Sequence, residues 1–300
     1  MKKLSDSPEL IEHLKGDLSK NVRSLLLLLG GGMNMFFGWG VASTLEQLGL
    51  INFTTVVGIS AGALIGSYFV AGQATLGASL YYKKLASRRF VGYLRKNVFD
   101  LDYGEALLRA GEYRIDIEKI SCSSTQLYLA LTRWSDGKGV LVDAKSSGVD
   151  MVTLIKGAVA PPGIYNDPLY PLASQDSQRY ADGGVAFPFP LREVMCRFKP
   201  THLVVIANSP LTTLPTLPPL SERLFLRCLI SVPLHIRQAM MLRYAHFKRG
   251  YYALRRIKTA QTFVFAPAPR TSAYVLSRSG DKLYRAFCKA RDTTLDALLM

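Results

Sequence analysis

Ser60 stands in Gly58-Ile59-Ser60-Ala61-Gly62, the chain's one G-x-S-x-G pattern. A short β-branched run, Thr54–Val57, precedes it, and an apolar run, Ala61–Ala71, follows. This context fits a strand–turn–helix elbow that lifts a serine hydroxyl out of the backbone. Such a turn has no room for side chains two residues to either side, hence Gly58 and Gly62. The helix N-terminus behind the hydroxyl favours developing negative charge. The chemistry is nucleophilic attack on an acyl carbon; without it, the same pattern is a tight strand–helix turn. Gly30-Gly31-Gly32 follows Leu25–Leu29 directly. Adjacent glycines let backbone N–H groups converge on an oxyanion or a phosphate. No Gly-Lys-Ser/Thr follows, so a Walker loop is excluded, and Gly38 and Gly40 lie too far on for a dinucleotide fingerprint. Asp182-Gly183-Gly184 sets a carboxylate at a turn signal.

A serine hydroxyl needs a base to take its proton. A carboxyl group with an ordinary pKa near ~3.9 is a weak one. Asp182 lies among Tyr180, Ala181, Val185 and Phe187, and burial beside them would raise its pKa toward a useful range. The competing arrangement is a Ser–Asp–His triad. His13 lies in the polar N-terminal segment, and His202 opens the strand Leu203–Asn208, away from the strand ends where catalytic groups gather. His235 and His246 could reach Ser60 only if their segment folds across the site.

The elements that must position these groups alternate. Leu25–Leu29 is a strand buried on both faces, and Phe37–Leu48 a helix stopped by Gly49. Thr54–Val57 is a second strand and Ala61–Ala71 a buried helix. Residues 74–110 are expected to be helical. Gln126–Thr132 and Gly139–Asp143 form a hairpin about Ser135-Asp136-Gly137-Lys138. Met151–Ala158 is a helix ended by Pro161 and Pro162, Arg179–Ala181 a short strand and Leu203–Asn208 another. A loop with Pro210, Pro215, Pro218 and Pro219 leads to a basic helical region at 221–258, then a strand Thr262–Ala266 and a helix over 280–299. Alternating strands and helices predict a mainly parallel sheet in one α/β domain from 21 to 300, with residues 1–20 a polar peripheral segment.

Composition supports that frame. With 49% hydrophobic and 20% charged residues over 300, the chain can build a large core and is neither disordered nor fibrous. Between Arg23 and Lys83 the one charged residue is Glu46, and glycines break the stretch too often for a membrane-spanning helix. Lys2 and Lys3 are followed by Asp6, Glu9 and Glu12, so no signal peptide is expected. Cys122, Cys196, Cys228 and Cys288 make no C-x-x-C pair; four reduced thiols of a cytosolic-type protein are expected. The net charge of +15 calls for an anionic partner. Residues 221–258 carry nine basic side chains against Glu222, and Lys83–Lys96 carries six against none. Aliphatic and aromatic residues interleave both runs, which suits an anionic bilayer surface. In that reading Arg243, Arg249 and Arg255 dock the protein, while the alternative is a solvated helix face. No nucleic-acid-binding motif is present, and no cofactor or metal is expected.

A glycine loop after strand one, then G-x-S-x-G, then Asp-Gly-Gly some 120 residues later resembles the patatin-like phospholipases. Gly40-Val41, Leu45, Leu48 and the stretch from Ala158 to Pro162 extend the likeness, which runs from about Leu25 to Pro210. The resemblance implies a three-layer α/β/α fold and hydrolysis of phospholipid or other lipid acyl esters. It implies a Ser60–Asp182 dyad without histidine, with Gly30, Gly31 and Gly32 giving oxyanion N–H groups. The thiols, the N-terminal segment and the basic runs together predict a cytoplasmic protein peripherally bound to a membrane surface. Two places depart from the family pattern. Asn34 and Met35 stand where a cation and a glycine are usual, which removes a charge and sets a bulky side chain in a tight loop. Phe187 and Pro188 stand where Asn often follows Asp-Gly-Gly. The alternative they raise is a weak or inactive lipid-binding relative.

Overall fold

The computed structural model describes residues 4–17, 21–166, 171–173, 176–211, 217–268 and 277–299. The expected roles of Lys2, Lys3 and Pro215 lie outside them. The strands are β1 (Ser24–Leu28), β2 (Thr55–Ile59), β3 (Gln126–Arg133), β4 (Gly139–Asp143), β5 (Pro171–Ala173), β6 (Asp176–Asp182), β7 (His202–Ile206) and β8 (Gln261–Phe265). The helices are α1 (Pro8–Lys15), α2 (Phe36–Gln47), α3 (Ala61–Val70), α4 (Ala74–Leu80), α5 (Leu101–Arg109), α6 (Ile117–Cys122) and α7 (Met151–Ala158). They continue with α8 (Leu191–Phe198), α9 (Leu220–Cys228), α10 (Leu234–Leu254) and α11 (Gly280–Leu299).

Strands β3, β2, β1, β7 and β8 pair in parallel in that order, and β4 and β6 join β3 antiparallel. This is the mainly parallel α/β/α sheet expected. Residues of β1, β2 and β7 are buried along their whole length because helices cover both faces. Leu26, Leu28, Val56 and Val204 face the larger core, with α2, α3, α7 and α11. Leu25, Leu27, Val57 and Val205 face the smaller one, with α8 and the end of α10. A third, separate cluster joins Leu226 of α9 to Ile236 and Met240 of α10 and to Val185. The helical pair α9–α10 therefore has a core of its own.

One detail of register builds the site. Along β3, residues 128–132 pair with β4 on one edge, and residues 126–130 pair with β2 on the other. Beyond the end of β2, residues 131–133 pair with β6. Leu131 and Thr132 already use one edge for β4, so β6 occupies the edge β2 has vacated. Ile59, the last residue of β2, sits opposite Ala130, and Asp182, the last of β6, opposite Leu131. Two strands arriving from opposite directions thus deliver Ser60 and Asp182 to one point.

Three expectations need correction. The N-terminal segment is not peripheral: Leu4, Leu10 and Leu14 are buried in the main core. The expected helix over 74–110 breaks after a π turn at Tyr81–Leu85. There the Ser87 hydroxyl donates to the Lys84 carbonyl and accepts from the Phe90 N–H, offering the backbone an alternative to helix. The loop is closed by a Val91–Phe99 bridge, and Arg95 donates to the carbonyls of Arg89 and Phe90. Helix α5 then restarts from an Asp100 cap. Within the Lys83–Lys96 run, Arg95 is ion-paired to Asp100 and donates to two carbonyls, so one of its six cations serves the fold.

Candidate active site

Ser60 has φ +52° and ψ −125°, and one other described non-glycine residue, Lys199, has a positive φ. Holding a serine there costs free energy, and the elbow's packing imposes it. A side chain at Gly58 would stand 2.5 Å from the Ala63 Cα, and one at Gly62 would strike the Leu28 carbonyl. Ser60 Oγ donates to Asp182 Oδ2 at 2.6 Å. Asp182 Oδ1 accepts from the Gly184 N–H at 2.6 Å, and a side chain at Gly183 would hit the Ala130 backbone. The Asp-Gly-Gly turn thus fixes the carboxylate from both ends. Thr132 completes the hold: its hydroxyl donates to the Asp182 carbonyl at 2.8 Å and accepts from the Ala186 N–H.

Asp182 is buried. Loss of water pushes its pKa up to about 6, against the opposing effects of the Ser60 and Gly184 hydrogen bonds and the charge of Arg243. A base poised near neutrality needs this.

The glycine loop lies alongside. A side chain on Gly30 would come 3.1 Å from the Ser60 Cβ. Gly32 has φ +54°, where glycine is favoured. The N–H groups of Gly30 and Gly31 have no hydrogen-bond partner among the described residues. Asn208, at the end of β7, pins the loop: its Oδ1 accepts from the Gly38 N–H and its Nδ2 donates to the Leu29 carbonyl, each at 2.8 Å. The buried Tyr81 hydroxyl donates to the Met33 carbonyl. Met35 takes φ −64°, an ordinary value, and ends a 3₁₀ turn, Gly32–Asn34. The expectation of a bulky residue forced into a tight loop is therefore corrected: Met35 and Asn34 are buried walls of the cavity.

That cavity is about 540 Å³ and lies over Ser60, Asp182 and the glycine loop. Its walls are mostly apolar, among them Leu64, Phe90, Phe99, Ile164 and Phe247. Helices α9 and α10 roof it with Phe225, Leu226, Met240, Arg243 and Tyr244. Arg243 is thus a cavity residue, and its reading as a surface docking group is corrected; Arg249 and Arg255 are exposed. Asn208, Thr132, Glu222 and the cavity role of Arg243 went unseen in the sequence. No local pattern marks them, because each acts on residues far away in the chain.

No histidine lines the cavity. His202 is held by Thr201 and Glu9 at the opposite end of its strand, and His235 by the Trp134 carbonyl. Among the described residues no cluster of His, Cys, Asp and Glu is placed to hold a metal. The four cysteines are unbonded to one another. No helix of the described residues is long and apolar enough to cross a membrane.

Fold and site define a class of α/β protein in which an elbow serine is held directly by a carboxylate. The chain belongs to the patatin-like phospholipase family, whose sequence model matches residues 26–195. No curated protein sequence matches the chain. Among solved structures it is similar to VipD from Legionella pneumophila, at 12% identity and a TM-score of 0.44, over 89% of this chain and 67% of VipD. The family is one of lipid acyl hydrolases.

Proposed function

We propose that the protein hydrolyses acyl esters of lipids at a membrane surface, with Ser60 as nucleophile and Asp182 as base. The observation that carries this reading is the 2.6 Å Ser60–Asp182 hydrogen bond beside an apolar cavity. The acyl chain enters the cavity and its carbonyl oxygen turns toward the N–H groups of Gly30, Gly31 and Gly32. Asp182 takes the Ser60 proton as Oγ attacks and returns it to the leaving alkoxide. Water then attacks the acyl-enzyme, Asp182 taking its proton and passing it to Ser60 Oγ as the acyl–Oγ bond breaks and the fatty acid leaves.

The base must be ionised to work. Its pKa of about 6 makes kcat/KM on a monomeric short-chain ester rise with pH along one ionisation near that value, then level off. At pH 5 the rate should be about 10-fold below the plateau. A flat profile from pH 4 to 8 would remove Asp182 as the base.

Two exposed apolar projections lie on segments that also line the cavity, which supports docking on a bilayer. Leu94 is wholly exposed at the tip of the loop between cavity residues Phe90 and Phe99. Ile230 is 86% exposed at the turn joining α9 and α10, with Leu220, Leu224 and Leu234 also exposed nearby in the chain. Arg88, Lys96 and Arg227, all exposed, flank them in sequence. Inserting one such side chain into lipid is worth ~1.5 kcal/mol or more, and each nearby cation adds ~1 kcal/mol on an anionic surface. Leu94→Asp and Ile230→Asp should each weaken sedimentation with phosphatidylserine-containing vesicles by about 10-fold. Binding should fall with salt and be weaker on neutral vesicles. Equal binding to both vesicle types at all salt concentrations would assign the charge to a solvated face.

A further inference from the structure

Among the described residues the cavity holds three charged side chains, Asp182, Glu222 and Arg243, of which Arg243 alone is a cation. A cation is costly in an apolar cavity unless something holds it or it has work to do. Glu222 of α9 faces it, with Oε1 2.7 Å from Arg243 Nη2. That pair is poorly aligned, since Oε1 is buried without a hydrogen bond of proper geometry. The other carboxylate oxygen accepts from the Tyr244 hydroxyl at 2.8 Å, and the guanidinium packs against the Tyr244 ring, 5.0 Å from its centroid. Glu222 and Tyr244 thus fix the side chain from one side. Nε and Nη1 of Arg243 make no hydrogen bond among the described residues. A planar fork with free donors, held rigid at the wall of an acyl cavity, fits the oxygens of a phosphate.

We propose that Arg243 selects phosphate-bearing acyl esters over neutral ones by binding the headgroup phosphate while the acyl chain fills the apolar wall. The proposal rests on the acyl-hydrolase reading given above and names a specificity residue of that site. The pull of Arg243 on the Asp182 carboxylate agrees with a position near the reacting ester. Glu222 is then a built-in competitor: it orients the guanidinium when the site is empty and yields its poorly aligned contact to a phosphate.

The test compares two monomeric substrates with the same acyl chains and the same ester bond, dihexanoyl phosphatidylglycerol and dihexanoylglycerol. Below their micellar concentrations membrane docking plays no part. The readout is the ratio of kcat/KM values, each taken on its pH plateau. Arg243→Met should lower the phosphate-to-neutral ratio by roughly 10- to 100-fold, the range of a lost charge-assisted hydrogen-bond pair. Arg243→Lys, which keeps the charge and loses the fork, should recover part of it. Glu222→Gln, which removes the competing anion, should raise the ratio above wild type. This opposite sign keeps the proposal testable if Arg243→Met does not fold. A ratio within about 2-fold of wild type in Arg243→Met, or a fall in Glu222→Gln, overturns the assignment. So does a case where Arg243→Met leaves the ratio alone but weakens inhibition by hexanoate, because the cation would then serve the fatty-acid product. Wild-type protein that hydrolyses neither ester overturns the acyl-hydrolase reading and the headgroup assignment together; turnover of both with an unmoved ratio overturns the second alone.

Discussion

Ser60→Ala, Asp182→Asn and the double variant should each lose about 10⁴-fold or more in kcat/KM on a monomeric ester, with the double no worse than the worse single. In the proposed mechanism nucleophile and base share one proton transfer across a 2.6 Å hydrogen bond, so removing the second after the first should change little. Asparagine at 182 keeps the size and can still meet the Gly184 N–H through its carbonyl oxygen, yet it cannot take a proton. Circular dichroism and thermal melting on the same preparations separate lost chemistry from lost fold. Losses that multiply in the double variant, or near-full turnover by Asp182→Asn, would show the two residues working apart.

Gly31→Val should reduce kcat by about 10²- to 10³-fold, the effect of losing one oxyanion donor, or ~2.7–4 kcal/mol. Gly31 has no room for a side chain: a Cβ would stand 2.5 Å from the Asn208 Cβ. Asn208 is itself held at both ends of its amide, so the loop must give way. Shifting it swings the Gly30 and Gly31 N–H groups away from the acyl oxygen. Single-turnover kinetics with a chromogenic ester would place the loss in acylation. Unchanged kinetics would limit these glycines to strand–helix packing.

The parts legible in the sequence are those with a local signature. Leu25–Leu29 and Leu203–Asn208 read as buried strands because burial on both faces leaves unbroken apolar runs, and β1 and β7 fall there. Gly58 and Gly62 marked the elbow because the clash they avoid lies within the turn or against the adjoining strand. Less legible elements were local but short. Helix α8 carries Leu191, Val194, Met195 and Phe198 at helical spacing behind Pro190, a signal of two turns. The break after Tyr81–Leu85 depended on Ser87 and Arg95 bonding to nearby carbonyls, which no hydropathy pattern records. Arg243 was one cation among nine in its segment. Its partner Glu222 sits on another helix, and only the packing of α9 on α10 separates it from Arg249 and Arg255. Asn208 has no local signature, because its role arises only from β7 lying beside β1.

The sharing of one β3 edge by β2 and β6 also divides the site between a local and a distant part of the chain. The elbow needs β1, β2 and α3, all within the first 70 residues, and it can form early through short-range contacts. The carboxylate is 122 residues further on and arrives only when β6 docks in register against Leu131–Arg133. A slip of one residue there would turn Asp182 to the opposite face of the sheet. Without that antiparallel strand in register, Ser60 lacks its carboxylate partner. The two halves of the proposed site therefore come together only in the closed fold, so a chain that lacks this pairing lacks the site.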